Sequence, residues 1–513
     1  MRSGGAAPGA IVRRAAAQNG FALATGALLA FAFAPANLWP LAVLCPAALM
    51  WLWEGKPPRR AAALGFWFGF GTFAAGTYWL YVSIHVFGQA PTWMAVGLML
   101  GLVAIMGAYH AALGYVAARW LPPEGARRWL LGVPAAWLLM EWWRGWFLSG
   151  FSWLSLGYSQ TDTWLARLAP VGGVYLLSFA LLLGSGALLT LVRGRGNERR
   201  LALAVLALPW LAAAALGRIE WTRPAGAPLS VAIVQGAIPQ DLKWIDSNLQ
   251  HTLDLYERLT REALGTGLVL LPESALPELA HNLADYLARL YREAHARGSS
   301  VMLGLVRAEE MDGRIRYYNS ILSLGAQVGW YDKRNLVPFA EFFPVPGFVR
   351  SWLRMMSLPY SDFTRGSGHQ QPLEAAGVAV APTICYEDGY GSAQLGMLTE
   401  ATVLANVTND AWFGHSTARY QHLQIYRMRA IEAARFALRA ANDGISAVID
   451  PRGRIVAQAP QYQPAVLRAQ IVPRAGLPPY ARTGNWPVVL LATAMLLGAS
   501  WRTLRRATRA AAT

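Results

Sequence analysis

Three side chains in this sequence could together carry out acyl chemistry: Glu273, Lys333 and Cys385. Glu273 closes the apolar run GLVLLPE (267–273), and the carboxyl end of a strand is where α/β sheets open their crevices. Lys333 lies in YDKRNLVPFAEFFP (331–344) and is one of only three Lys, with Lys56 and Lys243, among 45 basic residues. In a chain so biased toward Arg, a retained Lys points to a compact ammonium whose proton can be moved, which guanidinium does not offer. Cys385 ends GVAVAPTIC (377–385), directly before Tyr386, Glu387 and Asp388. Taken singly, each has a plainer reading: a solvated turn carboxylate, a surface Lys, a buried inert thiol. Taken together they supply what thiolate attack on a carbonyl requires, namely a base, a donor for the oxyanion and a nucleophile at a turn. No His is needed, because a free thiol has a pKa of about 8.5 and a nearby ammonium lowers it. The product would be a thioester, which divides acyl transfer into two steps.

These residues fall in a segment, 218–485, that reads as an α/β layered domain. Short β-rich runs at 229–236, 267–273, 300–306, 318–324 and 377–385 alternate with helical periodicity over Asn248–Ala263, Leu279–Arg297 and His422–Ala440. The apolar runs are continuous rather than alternating, which predicts sheets covered on both faces. The second cysteine, Cys45, lies inside an apolar run far from this domain, so a disulfide with Cys385 is not expected. An unpaired thiol in an oxidising compartment is a liability unless its reactivity is used.

The rest of the chain is membrane-like. Of its 513 residues 55% are hydrophobic and only 14% charged, with 22 Trp, which excludes both a disordered polyelectrolyte and an ordinary soluble protein. Apolar runs near the roughly 20-residue length of a bilayer span occur at about 19–34, 37–53, 61–84, 91–118, 129–147, 168–192, 201–217 and 486–501. The first follows Arg13 and Arg14 and has a signal-peptide look, but six more precede any soluble segment, so it reads as a retained helix. Alternate connections carry seventeen basic residues, from Arg2, Arg13 and Arg14 through Lys56, Arg59, Arg60, Arg119, Arg127, Arg128, Arg193, Arg195, Arg199 and Arg200 to Arg502, Arg505, Arg506 and Arg509. The opposite connections hold Arg144 and Arg167 alone. The positive-inside rule then gives eight spans with both termini cytoplasmic: seven in 1–217, the periplasmic domain 218–485, and an eighth helix with a basic tail in 486–513. Of the net charge of +16, only +2 belongs to 218–485, where 26 basic and 24 acidic residues nearly balance, so the basicity reports orientation and not nucleic-acid binding. The outward connection 144–163 is rich in aromatics and poor in charge; an interfacial Trp/Tyr belt and a wall guiding a lipid remain equal readings.

Segment 229–470 resembles the carbon–nitrogen hydrolase (nitrilase) superfamily through LLPES with Glu273, YDKRNLVPFAEFFP with Lys333 and PTICYEDGY with Cys385. With seven spans before it and one after, and with WLSLGYSQ (153–160) and VTNDAWFG (407–414), the chain resembles that superfamily's membrane branch, the apolipoprotein N-acyltransferases. The resemblance implies an α-helical membrane bundle carrying a four-layer (α-β-β-α) sandwich. It implies Glu273 as general base, Lys333 as the stabiliser of the tetrahedral intermediate and Cys385 as the acylated nucleophile. It makes Glu341 a second glutamate supporting the Lys, carries over Tyr386 and Glu387 as the residues after the nucleophile, and places Trp244 of DLKW as an aromatic near the site. Ala340 stands where many nitrilases have Gly. The implied reaction is ping-pong: an acyl chain passes from a phospholipid, typically phosphatidylethanolamine, to Cys385 and then to the α-amine of a diacylglyceryl-cysteine apolipoprotein in the bacterial inner membrane. Asn409 and Trp412 of NVTNDAWFG either line a lipid entrance or pack a loop, and Asn406-Val-Thr is a formal glycosylation sequon of low weight. No nucleotide loop or metal-ligand cluster is seen, so no cofactor and no metal are expected. A membrane-anchored amidase acting on a small amide is the alternative enzyme, and a scaffold that has lost its chemistry is the non-enzymatic one.

Overall fold

The computed structural model describes residues 8–338, 340–342 and 363–511. Arg2, and Phe339, Phe343 and Pro344 of the Lys333 motif, lie outside the described residues, as do the side chains of Arg502, Arg505, Arg506 and Arg509. The chain divides into two compact units. One runs up to Ile219 and adds His415–Gln424 and the segment from Thr483 on; the other is Glu220–Gly414 with Ile425–Arg482.

The first unit is helical, and a helix stands at each of the eight apolar runs. They are α1 (Pro8–Leu29), α2 (Leu41–Leu52), α3 (Pro58–Gly76), α4 (Thr92–Trp120), α5 (Val133–Arg144), α6 (Ala169–Arg193), α7 (Asn197–Leu216) and, at the far end of the chain, Trp486–Ala511. Among the described residues, four helical stretches are long and apolar enough to cross a membrane: Val12–Ala32, Thr92–Trp120, Trp164–Arg193 and Asn197–Leu216. The run at 37–53 makes a shorter helix than its hydropathy suggests, starting directly after Pro40; its 12 residues rise about 18 Å. Close packing comes from small residues, as in apolar helix bundles generally. A Cβ added at Gly65 of α3 would run into the His110 carbonyl of α4, and one at Gly114 into the carbonyl of Ala61.

The connection after α5 is held by buried polar groups. Arg144 donates to the carbonyls of Phe151 (2.6 Å) and Trp153 (2.7 Å) and to Ser155 Oγ (3.1 Å), while Glu141 accepts from the Leu156 N–H (3.2 Å). Trp153 Nε1 in turn donates to Gln421 Oε1 at 2.7 Å, and Gln424 Nε2 donates to Asn37 Oδ1 at 3.2 Å. Within the connection 144–163, WLSLGYSQ is interior, with Trp153 and Tyr158 each 1% exposed, whereas Trp146, Phe147 and Leu148 are exposed.

The second unit is built on two six-stranded sheets. Its strands are β1 (Arg223–Pro224), β2 (Leu229–Gln235), β3 (Leu268–Leu270), β4 (Ser300–Met311), β5 (Arg314–Leu324), β6 (Val328–Asp332), β7 (Leu373–Ala375), β8 (Val378–Ile384), β9 (Val403–Thr408), β10 (Ala437–Ala441), β11 (Ala447–Ile449), β12 (Ile455–Gln458), β13 (Ala465–Ile471) and β14 (Arg474–Ala475). One sheet has the order β13-β2-β3-β4-β5-β6 and the other β12-β11-β10-β9-β8-β7, while β1 and β14 form a separate pair. The centres, β2-β3-β4 and β8-β9-β10, are parallel, and the residues that pair in parallel are nearly all buried, which accounts for the continuous apolar runs. Helices α8 (Asp246–Ala263) and α9 (Ala284–Ala296) cover the first sheet through Leu255, Leu259, Tyr286 and Leu290, and α10 (Ala418–Ala433) carries Tyr426, whose hydroxyl donates to the Leu438 carbonyl of the second. The result is the expected α-β-β-α sandwich. Periodicity misled at one place: helix was expected over His422–Ala440, but Ala434 turns to a positive φ (49°) and Ala437–Ala441 pairs in parallel with β9 as a central strand. Its small, buried residues fit either pattern, and sheet pairing decides.

Candidate active site

Strands of both sheets present polar side chains just past their carboxyl ends, three of them central parallel strands and one, β6, an antiparallel edge strand. Glu273 follows β3, Lys333 follows β6, Cys385 follows β8 and Asn409 follows β9. Gly304 of β4 allows the Glu273 segment to cross closely, since a Cβ there would stand 2.7 Å from the Glu273 Cα. Cys385 itself adopts φ +51°, a left-handed turn that ends the strand abruptly and leaves the residue half-buried.

Lys333, 1% exposed, is gripped by two carboxylates. Its Nζ donates to Glu341 Oε1 at 2.8 Å and to Glu273 Oε1 at 3.4 Å. Asn319 of β5 ties the two acids together, its Nδ2 donating to Glu273 Oε1 (2.8 Å) and Glu341 Oε1 (2.9 Å), while its carbonyl accepts the Lys333 N–H (2.8 Å). The other Glu273 oxygen accepts from the Asn409 N–H at 2.9 Å. Burial opposes the charge on Lys333, but Glu341 and Glu273 more than offset it and hold the ammonium well above the ordinary Lys range. This is a fixed cation, suited to receive an oxyanion.

The thiol behaves differently from the simple expectation. Lys333 does favour the Cys385 thiolate, as does the Thr408 hydroxyl, but burial and then the charge of Glu273, with Asp410 behind them, push the thiol well above the ordinary range. Cys385 therefore rests as a thiol, within reach of the charges of Glu273, Lys333 and Asp410.

Two buried frames hold the Cys385 turn. Glu387, 0% exposed, accepts four hydrogen bonds: from the N–H of Ile384 (2.9 Å) and the hydroxyl of Tyr331 (3.0 Å) on one oxygen, and from the N–H groups of Arg334 (2.7 Å) and Asn335 (3.0 Å) on the other. It thus fastens the residue before Cys385 to the residues after Lys333. Burial raises its pKa against the pull of those N–H donors. Behind the turn, Arg439 of β10 pairs with Asp410 (2.9 Å) and Asp388 (3.3 Å), all three 0% exposed, and donates to Asn406 Oδ1 (2.8 Å). The Nδ2 of Asn406 then donates to the Cys385 carbonyl at 3.2 Å.

The sequence of the whole chain also has relatives. Residues 25–187 match the family described as apolipoprotein N-acyltransferase N-terminal domain, and residues 230–476 match carbon-nitrogen hydrolase. Proteins named apolipoprotein N-acyltransferase are 44% identical in Azotobacter vinelandii over 96% of both chains, 42% identical in Pseudomonas putida over 94% of this chain and 95% of the relative, and 41% identical in Methylococcus capsulatus over 91% and 93%. The chain belongs to the apolipoprotein N-acyltransferase family. In this member of the apolipoprotein N-acyltransferases, the structure brings Glu273, Lys333, Glu341, Cys385, Glu387 and Asn409 into one connected constellation. Asn409 is 5% exposed, its side chain bonded to Gln240 (2.7 Å) and Asn442 (3.1 Å). Tyr386 is half-buried and packs edge-on against Tyr390. Trp412 is 38% exposed and Trp244 51% exposed; beside Trp244 it is Lys243 that turns inward, its Nζ donating to the Glu273 carbonyl at 3.1 Å. Asn319, Lys243, Asn406, Asp410 and Arg439 were not picked out as site residues from sequence. The available signal was a polar side chain interrupting an otherwise apolar strand, as in YNSILSL for Asn319 and ALRAA for Arg439.

Proposed function

We propose that this chain transfers a fatty acyl group from a membrane phospholipid, through a thioester on Cys385, to the amino-terminal amine of a diacylglyceryl-cysteine apolipoprotein. The observation that carries this reading is Lys333 held between the carboxylates of Glu273 and Glu341, on a loop that Glu387 fastens to the Cys385 turn. In the first half-reaction the Cys385 proton passes to Glu273, the sulfur attacks the ester carbonyl, and the oxyanion develops beside Lys333. Collapse expels the lysophospholipid alkoxide, which takes the proton back from Glu273. In the second half the neutral acceptor amine attacks the thioester, Glu273 removes its proton, an amide forms, and the sulfur leaves and is reprotonated. Glu341 keeps the cation in place throughout.

Phosphatidylethanolamine as donor, the inner membrane, a periplasmic domain, cytoplasmic termini and eight spans belong to the same proposal. The supports for topology are the seventeen basic residues on one set of connections and the helices at all eight apolar runs. Hydrolysis of a small amide is not favoured, since relatives matching both halves of the chain carry the acyltransferase name. The test is incubation of the purified full chain with phospholipid labelled in its acyl chain. A hydroxylamine-sensitive adduct is expected on the wild type and absent from Cys385→Ala; an adduct that persists on Cys385→Ala removes the nucleophile assignment.

A further inference from the structure

Two of the three lysines in this Arg-rich chain converge on one glutamate. Lys333 meets the Glu273 carboxylate, while Lys243 meets the Glu273 backbone carbonyl, and each is 1% exposed. Their surroundings differ. Lys333 has two carboxylate partners, whereas Lys243 has a single hydrogen bond and, among the described residues, no ion pair. A buried ammonium with one neutral acceptor is an uncommon arrangement, because desolvation is then scarcely offset. Its loop is nonetheless firmly built: Gln240 accepts from Asn409 Nδ2, and the Ile238 N–H donates to Asn442 Oδ1 at 3.1 Å.

We propose that Lys243 is a second active-site amine, a positioning residue that holds Glu273 by its backbone and places a removable positive charge beside the Glu273–Cys385 pair. The groups whose charges face its Nζ are Glu273 after β3, Asp443 after β10 and Cys385 after β8, with Lys333 and Glu341 one hydrogen bond further away. Burial brings its pKa down to about 8, against the pull of Glu273, Asp443 and Cys385. An Arg at 243 could not give up its proton there, which supplies a chemical reason for Lys at this position in a chain that otherwise prefers Arg. With the charge present, the thiolate is favoured; once Lys243 has lost its proton, that help is gone.

This inference rests on the proposed roles of Glu273 and Cys385, whose own failure would show separately as an acyl adduct surviving in Cys385→Ala. The test reads thiol reactivity and not turnover. The full chain in detergent is alkylated with iodoacetamide from pH 6 to 10, and modification of the Cys385 peptide is followed by mass spectrometry, so that Cys45 does not contribute. The wild-type rate should rise with pH and bend to a shallower slope near pH 8. Lys243→Met should be about tenfold slower at pH 7 and lose the bend. Lys243→Arg should keep the wild-type rate at pH 7 and rise without a bend. Thermal melts of both variants establish that the compared proteins are folded. A Lys243→Met profile that superimposes on the wild type overturns the proposal, and so does an equal slowing of both variants with the bend retained, which would mean a role in packing alone.

Discussion

Replacing Glu387 by Gln tests whether the Lys333 loop and the Cys385 turn are fastened to each other. The carboxylate spends both oxygens on four donors, three of them backbone N–H groups. A Gln carbonyl placed on the Arg334/Asn335 side keeps two of those bonds in neutral form and costs about 1 kcal/mol for the lost charge assistance. Its NH2 then confronts the Tyr331 hydroxyl, which can rotate to accept, and the Ile384 N–H, which cannot. One buried N–H left without an acceptor costs about 1–3 kcal/mol, so the sum is about 2–4 kcal/mol. At about 2–4 °C per kcal/mol for a domain of this size, the melting temperature should fall by roughly 4–16 °C. Ile384 immediately precedes Cys385, the proposed nucleophile, so a loss of 1–3 kcal/mol in placing it converts to about 5- to 150-fold slower acylation, at 1.36 kcal/mol per decade. The assay is the rate of hydroxylamine-sensitive adduct formation with labelled phospholipid, run beside a thermal melt. Glu387→Gln acylating within twofold of wild type, at an unchanged melting temperature, would refute the claim that this carboxylate positions the turn.

Arg439→Met leaves the Asp388 and Asp410 carboxylates buried without their cation and should destabilise the domain by about 3–5 kcal/mol by thermal melting. Adding Asp388→Asn and Asp410→Asn should recover most of that loss while adduct formation stays at least tenfold slow, because Asn406 no longer has its anchor; full recovery of the rate would count against the network's role. Lys243 gives a pH dependence of stability. Its folded pKa of about 8 lies below the ordinary Lys value of 10.5, so protonation favours the unfolded chain, the full cost is present below pH 8, and it is relieved as pH rises from about 8 to about 10.5. Lys243→Met should therefore be more stable than wild type at pH 7 by about 2–3 kcal/mol, after subtracting one hydrogen bond, with the advantage shrinking by pH 10 in denaturant titrations. In the helical unit, Arg144→Lys keeps the charge but cannot span the carbonyls of Phe151 and Trp153 together with Ser155 Oγ, so its melting temperature should lie between those of wild type and Arg144→Met.

The architecture was legible where one physical signal dominated. Uninterrupted apolar runs gave the helices of the first unit and the strands β2, β3, β4 and β8, though not β9 or β10, and the ends of β3 and β8 gave Glu273 and Cys385. The polar frame was not legible, because its partners are far apart in sequence and meet only through the two-sheet topology. Arg439 was hidden twice, once by reading ALRAA as helix and once because a buried Arg becomes informative only when Asp388 and Asp410 are seen beside it. Residues 415–424 group with the helical unit although the segments on either side belong to the sandwich, and a polar stretch such as HSTARYQHLQ gives no such sign. The activated thiol expected from Lys333 alone failed on magnitude: one favourable charge was weighed without the burial and the Glu273 and Asp410 charges that oppose it.

The left-handed backbone at Cys385 has a consequence for how such a chain ages under mutation. An L-residue at φ +51° carries a steric cost of about 1–2 kcal/mol that glycine escapes. Cys385→Gly escapes that cost but adds about 0.5–1 kcal/mol of backbone entropy and gives up the thiol's bond to Thr408, and it cannot hold an acyl group. At this position the residue that backbone geometry favours and the residue that the proposed chemistry needs are different. The same substitution would give experimenters an acyl-free form of the protein in which lipid binding could be studied apart from turnover.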